Sequence, residues 1–144
     1  MNKQLSEQTK KILAESRTIA LDMGSEYIST FHLFIADCKL NGKYSIKNLI
    51  FETDEKFQTF IQLQKKTTSK IIVPELIPLT NEVKETILKA ATICNSKEFY
   101  ADAIYPYHLF IAASQLNSTK FYSVFKQFEG FEERLKQYYF EQIH

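Results

Sequence analysis

The pentapeptide His-Leu-Phe-Ile-Ala occupies residues 32–36 and recurs unchanged at residues 108–112. Five identical residues at two places in a chain of 144 are very improbable by chance, so the two stretches indicate an internal duplication. The first pentapeptide begins a segment that is apolar nearly all round, and such a segment predicts a buried central helix. The fold should therefore be built from two copies of one helical unit.

The similarity extends upstream of the pentapeptide, through the first helix of each copy. Leu5-Ser6 matches Leu79-Thr80 at an offset of 74 residues, whereas the two pentapeptides are 76 residues apart. The second copy therefore carries two extra residues, which we place near Phe99–Asp102.

This offset sets the predicted organisation of the chain. We predict a single domain over residues 1–144, with repeat one at about 5–66 and repeat two at about 79–143. The stretch 67–78 joins the repeats as an extended linker, because it holds two prolines and the β-branched run at 71–73.

Helical spacing of the apolar residues predicts four helices in each repeat. The fold class is therefore all-α: two pseudo-symmetric four-helix repeats, about eight helices in all, packed as one domain. In the first repeat, typical caps and stops begin and end the first two helices: Ser6, Gly24, Ser29 or Thr30, and Gly42. A short helix over 45–51 and a longer one over 55–66 complete this repeat.

The second repeat carries the same kinds of signal. The residues that begin or separate its helices are Thr80, Pro106, Ser118 or Thr119, and Gly130. Pro106 falls in the first turn of a helix, where its missing N–H costs no hydrogen bond.

The charge balance argues against a nucleic-acid partner. Eighteen Lys and Arg residues face 17 Asp and Glu residues, so the chain lacks the basic excess that phosphate neutralisation requires. The N-terminal segment has no apolar stretch typical of a signal peptide, and no run approaches the length of a membrane span. We expect a cytoplasmic protein that binds no membrane.

The residues that most often carry chemistry are sparse and poorly spaced for it. His32 and His108 open the two pentapeptides, and we interpret each as structural, bonding a neighbouring backbone or capping group. Neither histidine has companion ligands at the spacing of a metal site. Cys38 and Cys94 form no Cys-x-x-Cys motif and are expected to be buried free thiols. We predict no catalytic residue, no metal and no cofactor.

A set of residues in the first repeat has a recognisable order and spacing: Leu5-Ser6-Glu7, Lys11-Ile12-Leu13, Gly24, Tyr27-Ile28 and Thr30-Phe31-His32-Leu33. These residues resemble the N-terminal domain of the Clp class of AAA+ unfoldases, and the resemblance covers both repeats and hence nearly the whole chain. The distances from Leu5 to Gly24, Tyr27 and His32 match the spacing of that family without a gap. The duplication, with His-Leu in each copy, is the most specific part of the match.

The resemblance implies a docking module with the fold of two pseudo-twofold four-helix repeats. Such domains stand at the entrance of the unfoldase ring, where they capture substrates and bind adaptors, while separate domains hydrolyse nucleotide. This chain has no Gly-x-x-x-x-Gly-Lys-Ser/Thr loop, so it cannot hydrolyse ATP by that mechanism. We predict that it is not an enzyme and that its partners are proteins or peptides, whether it is a free-standing member or one piece of a longer chain.

The sequence departs from the family at one functional position in each repeat. Family members that recognise phosphoarginine carry a glutamate just before each histidine, and here Phe31 and Tyr107 stand there. Neither ring can make a charge-assisted bidentate contact to a guanidinium, which argues against phosphoarginine as the ligand. We predict instead an apolar or stacking contact to a partner at Thr30, Phe31, Pro106 and Tyr107, with Gly24, His32 and His108 in structural roles.

The sequence also leaves two functions open besides the protein-binding one. A stand-alone helical scaffold or dimerisation domain would use the excess of aromatic residues, which are 20 in number. Adjacent Tyr138, Tyr139 and Phe140 cannot all face inward on one helix, so at least one should be exposed or covered by a partner. An enzyme using His32 or His108 is the weakest of the three hypotheses.

Overall fold

The structure is a computed structural model that describes residues 4–42, 45–50, 55, 59, 79–126 and 130–143. In those ranges the longer elements are seven helices: α1 (Glu7–Asp22), α2 (Thr30–Leu40), α3 (Lys47–Ile50), α4 (Asn81–Cys94), α5 (Pro106–Gln115), α6 (Lys120–Phe125) and α7 (Phe131–Ile143). The described residues contain no strand beyond two isolated bridges. The all-α prediction is confirmed.

The first repeat begins its helices where the sequence predicted. The Ser6 side chain accepts a hydrogen bond from the Thr9 N–H at 3.1 Å and so caps α1. Gly24, just after α1, takes a φ of +71°, a conformation that glycine adopts without strain. Ser29 is the N-cap of α2.

The prediction that Gly42 stops α2 was wrong by one residue. The helix ends at Leu40, and Asn41 takes the left-handed conformation with φ +48° while its N–H bonds the Asp37 carbonyl at 3.0 Å. Asparagine tolerates this conformation better than other side chains, so it ends the helix before the glycine is reached.

The rest of the first repeat is only partly described. The short helix predicted over 45–51 is α3, which spans Lys47–Ile50. The helix predicted over 55–66 lies outside the described residues apart from Glu55 and Thr59, both of which are helical. The linker predicted over 67–78 lies outside them entirely.

The second repeat confirms its four sequence signals. Thr80 caps α4 by accepting from the Val83 N–H at 3.4 Å, and Pro106 is the first residue of α5. Thr119 caps α6 through the Tyr122 N–H at 3.0 Å. Gly130 has a φ of +70° immediately before α7.

Helices α2 and α5 form the centre of the core. Every residue from 30 to 38 is buried, which confirms the buried helix predicted for the first pentapeptide, and every residue from 107 to 114 is buried as well. Helix α1 packs on α2 and α4 packs on α5, while α6 and α7 cover the same core from other sides. Tyr139 of α7 is fully buried and Phe140 is 44% exposed, as expected for adjacent residues of one helix.

Backbone hydrogen bonds join the first residues of each repeat to the other repeat. Leu5 forms a parallel bridge with Ile104, and Leu79 forms one with Ile28. The Ser6 N–H donates to the Ile104 carbonyl at 3.0 Å, and the Thr80 N–H donates to the Ile28 carbonyl at the same distance. The two contacts join residues at equivalent positions of the repeats, which supports their pseudo-symmetry; that relation stays a prediction.

Candidate functional site

The two histidines cap the helices that they begin. The Nδ1 atom of His32 accepts a hydrogen bond from the Ser29 N–H, and Nδ1 of His108 accepts one from the Tyr105 N–H, each at 2.9 Å. Since Nδ1 of His108 is an acceptor, its Nε2 carries the proton and donates to the Phe99 carbonyl at 2.7 Å. These bonds fix the direction in which the residues at the helix starts point.

Phe31 and Tyr107 occupy the second position of α2 and α5, and both are buried, at 4% and 7% exposure. Phe31 packs on Phe34, with ring centroids 6.0 Å apart. Tyr107 stacks on Tyr105 at 5.7 Å and packs against Tyr139 at 5.8 Å. The two rings therefore do not form a surface patch, and each lines a cavity.

The first cavity, which we call the Tyr107 cavity, has a volume of about 230 Å³ and lies between the repeats. Its walls come from α1, from the end of α2 and the turn that follows, and from the start of α5: Gln8, Lys11, Ile12, Asp37, Leu40, Gly42, Ser45, Pro106 and Tyr107. It thus combines apolar walls, an aromatic ring and a carboxylate.

The second cavity, which we call the Phe31 cavity, has a volume of about 260 Å³. The first repeat contributes most of its wall, and α4 and α6 contribute one residue each: Met23, Ser25, Tyr27, Ser29, Phe31, His32, Glu82 and Lys120. Both cavities therefore lie where one repeat meets helices of the other.

Thr30 ties three helices together beside the Phe31 cavity. Its hydroxyl donates to Glu82 Oε2 at 2.8 Å and accepts from the Phe121 N–H at 2.9 Å. The same Glu82 oxygen accepts from the Lys120 N–H, at the start of α6. Of the four predicted partner-binding residues, three line a cavity and Thr30 joins α2 to α4 and α6; their role towards a partner stays a prediction.

Each cavity has one exposed apolar side chain that the sequence analysis did not select. Tyr27 lines the Phe31 cavity and is 55% exposed, and Leu40 lines the Tyr107 cavity and is 45% exposed. Leu40 looked like core in the sequence because it continues the apolar run of α2. The one sequence signal for the exposure of Leu40 was its place in the last turn of the helix, where a helix leaves the core.

Asp37 is a third residue of these cavities that was not predicted from the sequence. Its Oδ2 accepts from the Ile46 N–H at 2.8 Å and from the Ser45 hydroxyl at 3.3 Å. Burial raises the pKa of this carboxyl to about 6, and these two hydrogen bonds offset only part of the effect. An acid inside an otherwise apolar helix was the sequence signal for such a group.

The raised pKa of Asp37 predicts that stability falls as the pH rises. The folded protein holds a proton on Asp37 up to about pH 6, whereas the unfolded chain loses it near its ordinary pKa of 3.8. The contribution is fully present below pH 4 and lost as the pH passes 6, and it amounts to about 2–3 kcal/mol. Urea unfolding of the wild type and Asp37→Asn at pH 4.5 and 7.5 measures it.

We expect the free energy of unfolding of Asp37→Asn to increase relative to that of the wild type as the pH rises. The asparagine oxygen can still accept from Ile46 N–H, so the variant keeps the local turn. A difference in unfolding free energy that does not change between the two pH values would contradict the assignment of this titration to Asp37.

The described residues contain no group of three or more His, Cys, Asp or Glu side chains placed to hold a metal ion. Both cysteines are buried thiols, as expected, and burial raises the pKa of the Cys38 thiol far above its ordinary value. Within the same residues, no helix is both long and apolar enough to cross a membrane.

The chain is similar to two solved structures along nearly its whole length. It superposes on the N-terminal domain of the caseinolytic-protease-associated chaperone ClpD from Arabidopsis thaliana with a TM-score of 0.71 and 12% identity, over 97% of this chain and 94% of that one. It superposes on a chain from a malarial protein secretion system with a TM-score of 0.66 and 18% identity, over 96% of each. No protein-family model matches the sequence, and no curated protein matches it. At these identities the likeness establishes the fold.

Proposed function

We propose that this chain, which has the fold of the Clp N-terminal domain, is a non-catalytic protein-binding module that recruits client proteins or adaptors to an AAA+ unfoldase. The observation that carries the proposal is the pair of cavities between the repeats, each with one exposed apolar side chain among its lining residues. Exposed apolar side chains beside a concave site are typical of a surface that a partner covers.

The size of the cavities favours polypeptide over a small molecule. At about 230 and 260 Å³, each is smaller than the pockets of roughly 300–1,000 Å³ that enclose whole ligands. Each has room for one or two side chains, with the remainder of the partner lying across the surface. Two such sites on one domain would let a single extended client bind at both, which raises its apparent affinity.

The groups that could carry chemistry are used in holding the fold. Both imidazoles bond backbone groups at helix starts, and the Cys38 thiol stays protonated because its burial disfavours the thiolate. These assignments support a binding role over catalysis for the same residues.

A permanently unfolded client tests the proposal directly. We expect reduced, carboxymethylated α-lactalbumin carrying a fluorophore to bind the wild-type protein in an anisotropy titration. Tyr27→Ser and Leu40→Ser should each weaken binding about fivefold or more, because each removes an exposed anchor beside a cavity. Both side chains are about half exposed, so neither change should unfold the protein.

Leu88→Ser is the matched control, since Leu88 is 72% exposed and lines neither cavity. Its affinity should equal that of the wild type. A loss for Leu88→Ser as large as for the two cavity variants, or no binding by the wild type, would contradict the proposed function.

A second candidate function is self-association as a stand-alone scaffold. It is favoured by exposed Leu88, Tyr100 and Phe140, at 72%, 63% and 44%, because none of them lines either cavity. A dimer in sedimentation equilibrium that Leu88→Ser or Phe140→Ser dissociates would support this function, and a monomer at all concentrations would exclude it.

A further inference from the structure

We propose that the Tyr107 cavity binds a primary ammonium group, carried by a lysine side chain of a partner protein, on the carboxylate of Asp37. This inference rests on the proposed function and deepens it by naming the side chain that the module recognises.

Asp37 is a buried carboxylate that has no counter-ion among the residues that the structure describes. It is 5% exposed and lines the Tyr107 cavity. In the described part of the chain, the ion pairs join Lys10 to Glu7, Lys39 to Glu15 and Lys136 to Glu132, so none of them involves Asp37. A charged carboxylate in such surroundings is costly unless a cation joins it, and a cavity at its side gives a cation access.

The Tyr139 hydroxyl is a further buried polar group in the same interior. It has no hydrogen-bond partner among the described residues. Burial raises the pKa of this phenol well above its ordinary value, and the negative charge of Asp37 raises it further. The charge of Asp37 therefore acts on a buried group as well as on the cavity.

The hydrogen bonds of Asp37 favour an ammonium over a guanidinium. Oδ2 already accepts two hydrogen bonds, from the Ile46 N–H and the Ser45 hydroxyl. The single Ser45 hydroxyl hydrogen is shared with the Asp37 backbone carbonyl, which lies 3.2 Å from the Ser45 oxygen. No described residue donates to Oδ1, which remains as the free acceptor. Arginine binds carboxylates best through two parallel bonds to both oxygens, whereas an ammonium is a compact point charge that needs one.

The remaining walls suit the stem of a lysine. Ile12 and Leu40 provide apolar surface for the methylene groups, and Tyr107 adds an aromatic ring to the same wall. Lys11 also lines the cavity and repels a cation, but it is exposed, so water and salt screen its charge.

The Phe31 cavity provides an internal comparison. Its carboxylate, Glu82, already accepts from the Thr30 hydroxyl and from the Lys120 N–H through one oxygen, and the Lys120 side chain stands in the same cavity. An incoming ammonium therefore meets a resident cation there. We expect lysine recognition at the Tyr107 cavity alone.

The test is an NMR titration of the whole chain with acetyl-Gly-Gly-Lys-Gly-Gly-amide. Two matched peptides replace lysine by norleucine, which has no charge, or by arginine. We expect the lysine peptide to bind about tenfold more tightly than the norleucine peptide and more tightly than the arginine peptide. The amide signals of Ser45 and Ile46 should shift on binding, because they adjoin the carboxylate that receives the ammonium.

Asp37→Asn should weaken binding of the lysine peptide about tenfold or more, and Glu82→Gln should leave it unchanged. Lys11→Met should bind the peptide as tightly as the wild type or more tightly, since it removes a like charge. Equal binding by Asp37→Asn and the wild type would overturn the proposal, as would equal affinity for the lysine and norleucine peptides or weaker binding by Lys11→Met.

The titration of Asp37 in the wild type gives a measurement that needs no variant. The other titratable groups that line the cavity or interact with this site are Lys11, Cys38, Lys47, Tyr107, Tyr138 and Tyr139. A bound ammonium should lower the pKa of Asp37 below about 6, observed through its carboxyl carbon. An unchanged pKa at saturating peptide would overturn the proposal. If the unfolded client binds while the lysine peptide does not, this inference fails and the proposed function stands.

Discussion

Replacing Phe34 by alanine should lower the free energy of unfolding by about 3–5 kcal/mol, among the largest losses that a single truncation in this chain can cause. Phe34 is completely buried near the middle of α2. Its ring lies 5.8 Å from that of Phe121 and 5.1 Å from that of Phe125, both on α6. The truncation therefore opens a cavity between the central helix of one repeat and a helix of the other.

Urea unfolding followed by circular dichroism at 222 nm measures this loss. Phe34→Leu should cost less than half as much, because it refills most of the volume. Phe140→Ala is the matched aromatic control: its ring is 44% exposed and meets Phe99 edge-on at 6.3 Å. We expect a loss of about 1 kcal/mol or less for it. A loss for Phe34→Ala no larger than for this control would show that α2 is not central to the core.

His108→Ala should lower the free energy of unfolding by about 2–5 kcal/mol. The imidazole is fully buried and bonds two backbone groups, the Tyr105 N–H at 2.9 Å and the Phe99 carbonyl at 2.7 Å. Removing the ring leaves both groups buried without that partner, and each such group costs about 1–3 kcal/mol. The segment that contains Phe99 should lose this hydrogen bond to α5.

Thermal unfolding of the two histidine variants distinguishes a structural role from a catalytic one. His32→Ala should cost less than His108→Ala, because His32 is 7% exposed and water can reach the groups that it leaves. The ¹⁵N shifts of the His108 ring should show a proton on Nε2 and none on Nδ1. An unchanged melting temperature for His108→Ala, or the opposite tautomer, would contradict the structural role.

Several elements could be predicted from sequence because their causes are local. Thr80, Pro106 and Gly130 act on backbone groups within a few residues, so their effect does not depend on distant parts of the chain. The end of α2 shows the limit of such reasoning. Asn41 and Gly42 are both able to end a helix, and the structure places the left-handed residue at Asn41.

The residues of the candidate site could be predicted from the sequence only in part. The resemblance pointed to Phe31 and Tyr107 by their place before the histidines, yet burial turns both rings away from the surface and into cavity walls. Tyr27 and Leu40 carry the exposed apolar surface instead. Exposure depends on which other helix covers a side chain, and a hydrophobic pattern does not contain that information.

The sequence alone determined the helix starts and the burial of the first pentapeptide, because hydrophobic periodicity and capping are properties of neighbouring residues. The tertiary structure alone decided the two cavities, the Thr30–Glu82 contact across 52 residues and the burial of Asp37 with no counter-ion among the described residues. Each of these arises where helices of one repeat meet the other. The free energy of such contacts depends on groups that only folding brings together. These contacts therefore could not be predicted from any one segment of the sequence.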